Sequence, residues 1–224
     1  MVNIKEWKIP GVYTDGERLF TKNLVPKYQV YGEELVVWKG EEYRVWNPKR
    51  SKACALLKKG CKNFPVHSNS KILYLGAANG TTASHLSDIA VNGIIYCVEL
   101  SKRAFRDLIL VCEKRRNMVP ILGDANKPEM YKNIVGKVNL VYQDISQRNQ
   151  TEIFIKNLQI FLKPEGFGIL MVKARSVDVT AKPKDIFKEA ERKLRENGLR
   201  VLETVILKPY EKDHAAIVVE KIAK

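Results

Sequence analysis

The chain has 224 residues, 45% of them apolar, which is enough for one full-sized core with a small appendage and too little for two large ones. Its 39 Lys and Arg exceed its 25 Asp and Glu, for a formal net charge of +14; an extended polyanion is the natural partner, although a solvated lysine-rich surface accounts for the excess equally well. No apolar run approaches the roughly 18 to 20 residues that span a membrane, and "MVNIKEWKIPG" lacks the basic-then-apolar layout of a signal peptide, so no membrane association and a cytoplasmic location are expected.

Residues 1 to about 46 alternate polar and apolar side chains between turn signals, which predicts short antiparallel hairpins with Asp15-Gly16 and Lys39-Gly40 as turns. Residues 1–50 are therefore expected to form a small β domain and residues 51–224 the main domain. From about residue 70 apolar strands alternate with helical stretches. The predicted strands are 71–76, 93–99, 118–123, 138–143, 167–173, 200–207 and 215–221; the clearest helices read "TTASHLSDIAV", "SKRAFRDLILVCEKRR" and "RNQTEIFIKNLQIFL". Such alternation predicts an α/β, doubly wound, Rossmann-like and mostly parallel sheet. "LKPYEKDH" is too short for a crossover helix, so the last strand should run antiparallel. Seven strands with an antiparallel last strand resemble the S-adenosylmethionine methyltransferase fold. The four cysteines have no C-x-x-C spacing, and Cys97 and Cys112 sit among apolar residues, which favours reduced, buried thiols over zinc ligands; no metal site is expected.

"KILYLGAANGTT" (71–82) looks like a nucleotide-binding strand and turn, but no Gly-Lys-Ser/Thr closes a phosphate loop and Ala78 replaces the middle glycine of a dinucleotide fingerprint. In an open parallel sheet, ligands collect at the carboxyl ends of the strands. There the first strand ends at Gly76 with Gly80 following, and both would let the backbone approach a cofactor. The second ends at Glu99, suited to accept hydrogen bonds from both ribose hydroxyls or to complement the helix that follows. The third ends in "GDAN", where Asp124 is placed to accept an adenine amino group or to cap a turn. The fourth ends in "QDISQ", with Asp144 and Gln147 over the same crevice. Three carboxylates at successive strand ends form a signal that none carries singly.

Methyl transfer requires an in-line nucleophile and an outlet for one proton. For a ribose hydroxyl, nearby cations must favour the developing alkoxide. Lys173 and His214 fall at the required strand ends, and Asp144 is placed to hold Lys173; His67 and His85 lack such neighbours and read as structural.

"WNPKRSKA" (46–53), "GAANGTTASHLSDI" (76–89), "GDANKP" (123–128), "KARSVDVT" (173–180) and "KPYEKDHA" (208–215) together resemble the fibrillarin family in its archaeal form, over nearly the whole chain. The resemblance implies S-adenosylmethionine-dependent ribose 2′-O-methylation of rRNA, and of tRNA, directed by a box C/D guide RNA. It also implies a Nop-type scaffold protein and a kink-turn-binding protein as partners. It places the catalytic set on Lys52, Asp144, Lys173 and His214, of which Lys52 follows from the resemblance alone. It places cofactor contacts on Thr81, Thr82, Glu99, Leu100, Asp124, Ala125 and Asp144 through Ile145, Ser146 and Gln147.

Asn79 departs from the family turn but tolerates unusual backbone angles, and Ala53-Cys54-Ala55 replaces the usual Leu-Ala-Ala. No Gly/Arg-rich tail is present. The basic runs 44–62 and 173–184, with Lys49, Arg50, Arg175 and Lys182, are expected to contact RNA phosphates without reading sequence. Alternatives weighed on the same residues are protein glutamine methylation, a non-catalytic RNA-packaging subunit, and a metal-dependent small-molecule methyltransferase using Asp124 and Asp144.

Overall fold

The computed structural model describes residues 3–222. Residues 5–46 form five antiparallel strands, β1 (Lys5–Glu6), β2 (Val12–Thr14), β3 (Leu19–Lys22), β4 (Leu35–Trp38) and β5 (Glu41–Trp46), in the order β1-β2-β3-β5-β4. Both expected turns are present. Lys39 and Gly40 each take positive φ (51° and 80°), the pairing that matches a two-residue hairpin loop to strand twist. At the other turn, Asp15 Oδ1 accepts hydrogen bonds from the Glu17 and Arg18 amides.

The remainder runs α1 (Lys52–Lys58), β6 (Lys71–Leu75), α2 (Thr81–Ile89), β7 (Ile94–Glu99), α3 (Lys102–Lys114), β8 (Met118–Leu122), β9 (Val138–Gln143), α4 (Gln150–Phe161), β10 (Leu162–Lys173), α5 (Ala174–Val177), α6 (Pro183–Glu196), β11 (Leu199–Ile206) and β12 (His214–Lys221). Seven strands form one sheet in the order β11-β12-β10-β9-β6-β7-β8. β6 to β10 run parallel to one another, and β12 is antiparallel to both β10 and β11. The expected antiparallel last strand is thus present, but it lies inside the sheet and leaves β11 at the edge.

Two helices escape a sequence reading. α1 sits inside the basic run that reads as a phosphate patch, yet buries Ala53, Cys54, Ala55, Leu56 and Leu57. α6 is so rich in charge that only Phe187, Ala190 and Leu194 mark its buried stripe. β10 also begins five residues earlier than its apolar run, because Leu162 pairs with Val138 before an irregular stretch ending at Phe167.

Strand periodicity sorts the core into two layers. Ile72, Tyr74, Leu140, Tyr142, Ile169, Met171, Ala216 and Val218 face one layer with residues of α1, α2 and α3. Leu73, Leu75, Val141, Leu170, Val172 and Ile217 face the other with α4 and α6. Val12, Leu19 and Trp46 of the N-terminal sheet belong to the first layer, so that sheet is packed onto the same core. All four cysteines are buried and unbonded to one another. Among the described residues no helix is long and apolar enough to cross a membrane.

A polar seam joins the N-terminal sheet to α2. Arg44 is fully buried and donates to Glu33 Oε1 (2.6 Å), Asp88 Oδ2 (2.7 Å) and Ser84 Oγ (2.9 Å). Arg115 donates to Asp88 Oδ1 (2.6 Å), and Thr21 Oγ1 to Asp88 Oδ2 (2.7 Å). Burial alone would raise the Glu33 carboxyl, but Arg44 and the Tyr31 and Val30 amides hold it below the usual range. His85, which reads as structural from the sequence, lies within this seam. Its Nδ1 is 2.8 Å from Thr21 Oγ1, its Nε2 is 2.8 Å from Tyr31 Oη, and its ring stacks on Trp46. Burial, then the charges of Arg44 and Arg115, drive its basicity well below that of a free imidazole.

Candidate active site

At the carboxyl edge of the sheet, a cavity of about 360 Å³ lies over β6, β7, β8 and β9. Gly76, Ala78, Glu99, Leu100, Ala125 and the run Asp144 to Gln147 line it, together with Val98, Ser101 and Gly123. The turn beneath it depends on backbone geometry. Gly76 has φ +81°, and a Cβ there would run into the Asp144 carbonyl oxygen and within 2.8 Å of Ile145. Only glycine lets the β6 and β9 ends approach this closely. The neighbouring strain falls on Ala78 (φ +49°), not on Asn79, a left-handed conformation that costs about 1–2 kcal/mol for a residue with a Cβ. Glu99 stabilises this conformation: its Oε2 accepts the Ala78 amide (2.8 Å) and its Oε1 the Ser101 amide (2.7 Å).

Glu99 therefore serves the loop and the start of α3, and each carboxylate oxygen keeps a further lone pair for a hydroxyl. Replacing Glu99 by Ala should weaken cofactor binding by about 10- to 100-fold, from lost charge-assisted hydrogen bonds and a loosened Ala78. Equilibrium dialysis or calorimetry checks this, and an unchanged affinity would remove Glu99 from the site.

The other expected cofactor contacts divide. Asp124 is half-exposed, outside the cavity lining, and its Oδ1 accepts the Asn126 amide (2.9 Å), which is the turn-capping alternative. Gly80 ends the turn in the left-handed conformation and begins α2. Thr82 is buried with its hydroxyl 2.9 Å from Ser51 Oγ, and Thr81 donates to Asn79 Oδ1 (3.1 Å). None of these three lines the cavity.

Beside the cavity, Lys52 Nζ donates to both oxygens of Asp144, each at 2.9 Å. The strand ends set Asp144 to hold Lys173; in the structure the carboxylate is engaged by Lys52 instead, a residue that only the family resemblance brings into the set. Lys52 opens α1, where its charge opposes the positive end of the helix dipole; the first turn of α1 holds no acidic residue, so Asp144 is what offsets it. Its position follows from Ser51, the α1 N-cap, whose Oγ also accepts from Trp46 Nε1 (2.9 Å). Asp144 is held from behind, where its amide donates to the Leu75 carbonyl (2.9 Å).

Lys173 ends β10 directly opposite His214, which opens β12. The Lys173 amide and carbonyl bond to Gln150, and the His214 carbonyl accepts from Leu207. Both backbones thus point away from each other, which makes Lys173 and His214 a non-hydrogen-bonded pair with Cα atoms about 4.5 Å apart and adjacent side chains. Strand alternation sets Asp144, Lys173 and His214 on the face that α1 covers, so all four residues of the expected set share one face and one edge. Lys173 Nζ has no hydrogen-bonding partner among the described residues. His214 Nδ1 is 2.6 Å from the Lys212 carbonyl, which assigns the proton to Nδ1 and leaves Nε2 as a lone pair in the neutral ring.

Of the expected RNA contacts, Lys49, Arg50 and Lys182 are exposed; Arg175 is exposed but engaged by Asp213 (3.2 Å) and the Val179 carbonyl. Gln143 and Gln150, buried beside the set, carried no sequence signal, since buried glutamines look like any other polar residue until their partners are known.

The strand order, the interior antiparallel β12 and the glycine turn at the carboxyl edge define a Rossmann-like fold of the S-adenosylmethionine-dependent methyltransferase class. The fibrillarin family model matches residues 4–223, and the chain belongs to the fibrillarin family. A fibrillarin-like rRNA/tRNA 2′-O-methyltransferase of Pyrococcus horikoshii is 52% identical over 227 residues, covering 99% of this chain and all of that protein. Among solved structures, the Methanococcus jannaschii fibrillarin pre-rRNA processing protein is 46% identical with a TM-score of 0.95, over 100% of this chain and 99% of the other. Aeropyrum pernix fibrillarin with natively bound S-adenosyl-L-methionine is 44% identical with a TM-score of 0.88, over 98% of this chain and 100% of the other. A fibrillarin/Nop5p complex is 43% identical with a TM-score of 0.87, over 95% and 98%.

Proposed function

We propose that this chain is a guide-directed RNA ribose 2′-O-methyltransferase that uses S-adenosylmethionine, carried above all by the bidentate Lys52–Asp144 pair at the mouth of the cavity. The cavity suits that cofactor: a glycine-only floor at Gly76, apolar walls from Leu100, Ala125 and Ile145, and the Glu99 carboxylate for a sugar edge. When bound, the cofactor supplies an electrophilic methyl group. Asp144, Ile145, Ser146 and Gln147 bound the side of the cavity nearest the lysines, where an acceptor must arrive.

The chain's own residues deal with the acceptor hydroxyl. Its proton is weakly acidic, so the oxygen must gain charge next to cations in a site of limited water access. Lys52 is held in one place by both Asp144 oxygens and stabilises that charge. Lys173 and His214, adjacent on the same face, form the outlet for the proton. We assign phosphate contacts to Lys49, Arg50 and Lys182, with Arg175 contributing after release from Asp213. These contacts position RNA without reading sequence, so target choice falls to a box C/D guide RNA. A Nop-type scaffold, by analogy with the Nop5p complex, and a kink-turn-binding protein complete the assembly, in an archaeal cytoplasm.

Reconstitution with scaffold, kink-turn protein and guide should give methyl transfer to a complementary RNA at the guided ribose. Equal incorporation into a substrate carrying 2′-deoxyribose at that nucleotide, or methylation of a base, would overturn the assignment.

A further inference from the structure

We propose that Gln150 is a positioning residue for Lys173, acting as a missing strand residue that fixes the backbone of the lysine relative to that of Asp144. The inference rests on the assignment of Lys173 to the catalytic set. β9 ends at Gln143, opposite Leu170, while β10 runs on to Lys173. Beyond Leu170, therefore, β10 has no strand on its β9 side among the described residues. On its other side Ala174 donates to the Asp213 carbonyl (3.0 Å), so the alternation of an antiparallel pair turns the Lys173 amide and carbonyl towards the gap.

The Gln150 side chain fills that gap. Its Oε1 accepts the Lys173 amide (3.0 Å) and its Nε2 donates to the Lys173 carbonyl (3.2 Å), satisfying both backbone groups with one planar amide. An antiparallel neighbour would make the same pair of bonds with one residue, whereas the parallel β9 would need two. Gln150 is fully buried at the first position of α4, so its side chain has little freedom to wander.

Gln150 is itself fixed from β9. Gln143 Nε2 donates to the Gln150 carbonyl (2.6 Å), and Gln143 immediately precedes Asp144. Gln143 is also fully buried, and its Oε1 has no partner among the described residues, so its donor alone holds it. A continuous path of two primary amides thus runs from the backbone of Asp144 to the backbone of Lys173, on the face opposite to their side chains. It sets the spacing between the Lys52–Asp144 pair and the second lysine, and misplacement of a reacting group by about 1 Å can cost about 100-fold in rate.

The test uses the reconstituted ribonucleoprotein. Gln150→Met keeps the bulk and removes both hydrogen bonds. It should lower kcat at least tenfold while leaving the KM for RNA and the dissociation constant of S-adenosylmethionine within about twofold. Gln150→Glu retains an acceptor for the Lys173 amide and loses the donor, and should fall between Gln150→Met and the unaltered protein. Leu158→Val, a core change in the same helix, controls for lost stability: at an equal drop in melting temperature its kcat should be unaltered. If Gln150→Met kept kcat within twofold, or Leu158→Val lost as much, the positioning role would be overturned. Lys173→Ala, run alongside, separates the two levels: an active Lys173→Ala protein would sink the catalytic assignment itself, whereas an inactive one beside a fully active Gln150→Met would sink only the role of Gln150.

Discussion

Replacing Asp144 by Ala is expected to lower the rate of methyl transfer by about 10³-fold or more, a loss of about 4 kcal/mol of transition-state stabilisation. Two effects combine. Lys52 donates to both Asp144 oxygens, so without the carboxylate its ammonium is free to leave the position in which it can face a developing alkoxide. At the first residue of α1, moreover, it would be left beside the positive end of the helix with nothing to offset it. Asp144→Asn keeps the shape and one acceptor but loses the charge, and should fall nearly as far. Cofactor affinity should change much less, by under about tenfold, because the cavity floor at Gly76 and the Glu99 side are untouched. Single-turnover transfer with saturating cofactor, measured beside direct binding, checks both halves. A variant that lost binding in proportion to rate would show that Asp144 serves the cofactor rather than the chemistry.

The second large effect is on stability. Asp88→Ala should destabilise the protein by about 3–5 kcal/mol, because one buried carboxylate serves two buried arginines and its removal leaves an excess of buried positive charge. Asp88 Oδ2 also accepts from Thr21, and Oδ1 from the Leu24 amide (3.2 Å), so the contact between the N-terminal sheet and α2 loosens with it. For a chain of this size such a loss lowers the melting temperature by about 10 °C or more. Calorimetry or urea unfolding measures it. A shift of less than about 1 kcal/mol would mean that Arg44 and Arg115 find new partners or water on relaxation. The same α2 begins at Gly80, next to the cofactor turn, so the seam also anchors one end of the site.

Burying Arg44 with its partners is a costly way to join two layers of structure, and apolar residues of equal volume often do as well or better. The charged seam nevertheless sets one register between β5 and α2, since Arg44 reaches Glu33, Asp88 and Ser84 at once. His85 illustrates how such a seam hides from inspection of the sequence. A lone histidine in a helix reads as structural filler, and its contacts with Thr21 and Tyr31 come from residues 64 and 54 positions away.

The sheet and its carboxyl edge are legible in the order of the residues. Apolar runs of strand length separated by helical stretches, a glycine at the end of the first strand, and a loop too short for a crossover helix are local properties, and they prescribe parallel neighbours with an antiparallel last strand. They also placed Glu99, Asp144, Lys173 and His214 at one edge, because strand ends and alternation follow from periodicity alone. Which group holds which follows from packing. Asp144 pairs with Lys52 rather than Lys173, because α1 presents its first residue to the end of β9 across 92 positions of chain. The left-handed angle falls on Ala78 rather than Asn79, because Glu99 accepts the Ala78 amide. α1 and α6 were obscured by their charge, and Gln150 by its polarity; each owes its place to long-range partners. Periodicity is set by neighbours a few residues apart, whereas pairing depends on distances between segments that only packing brings together.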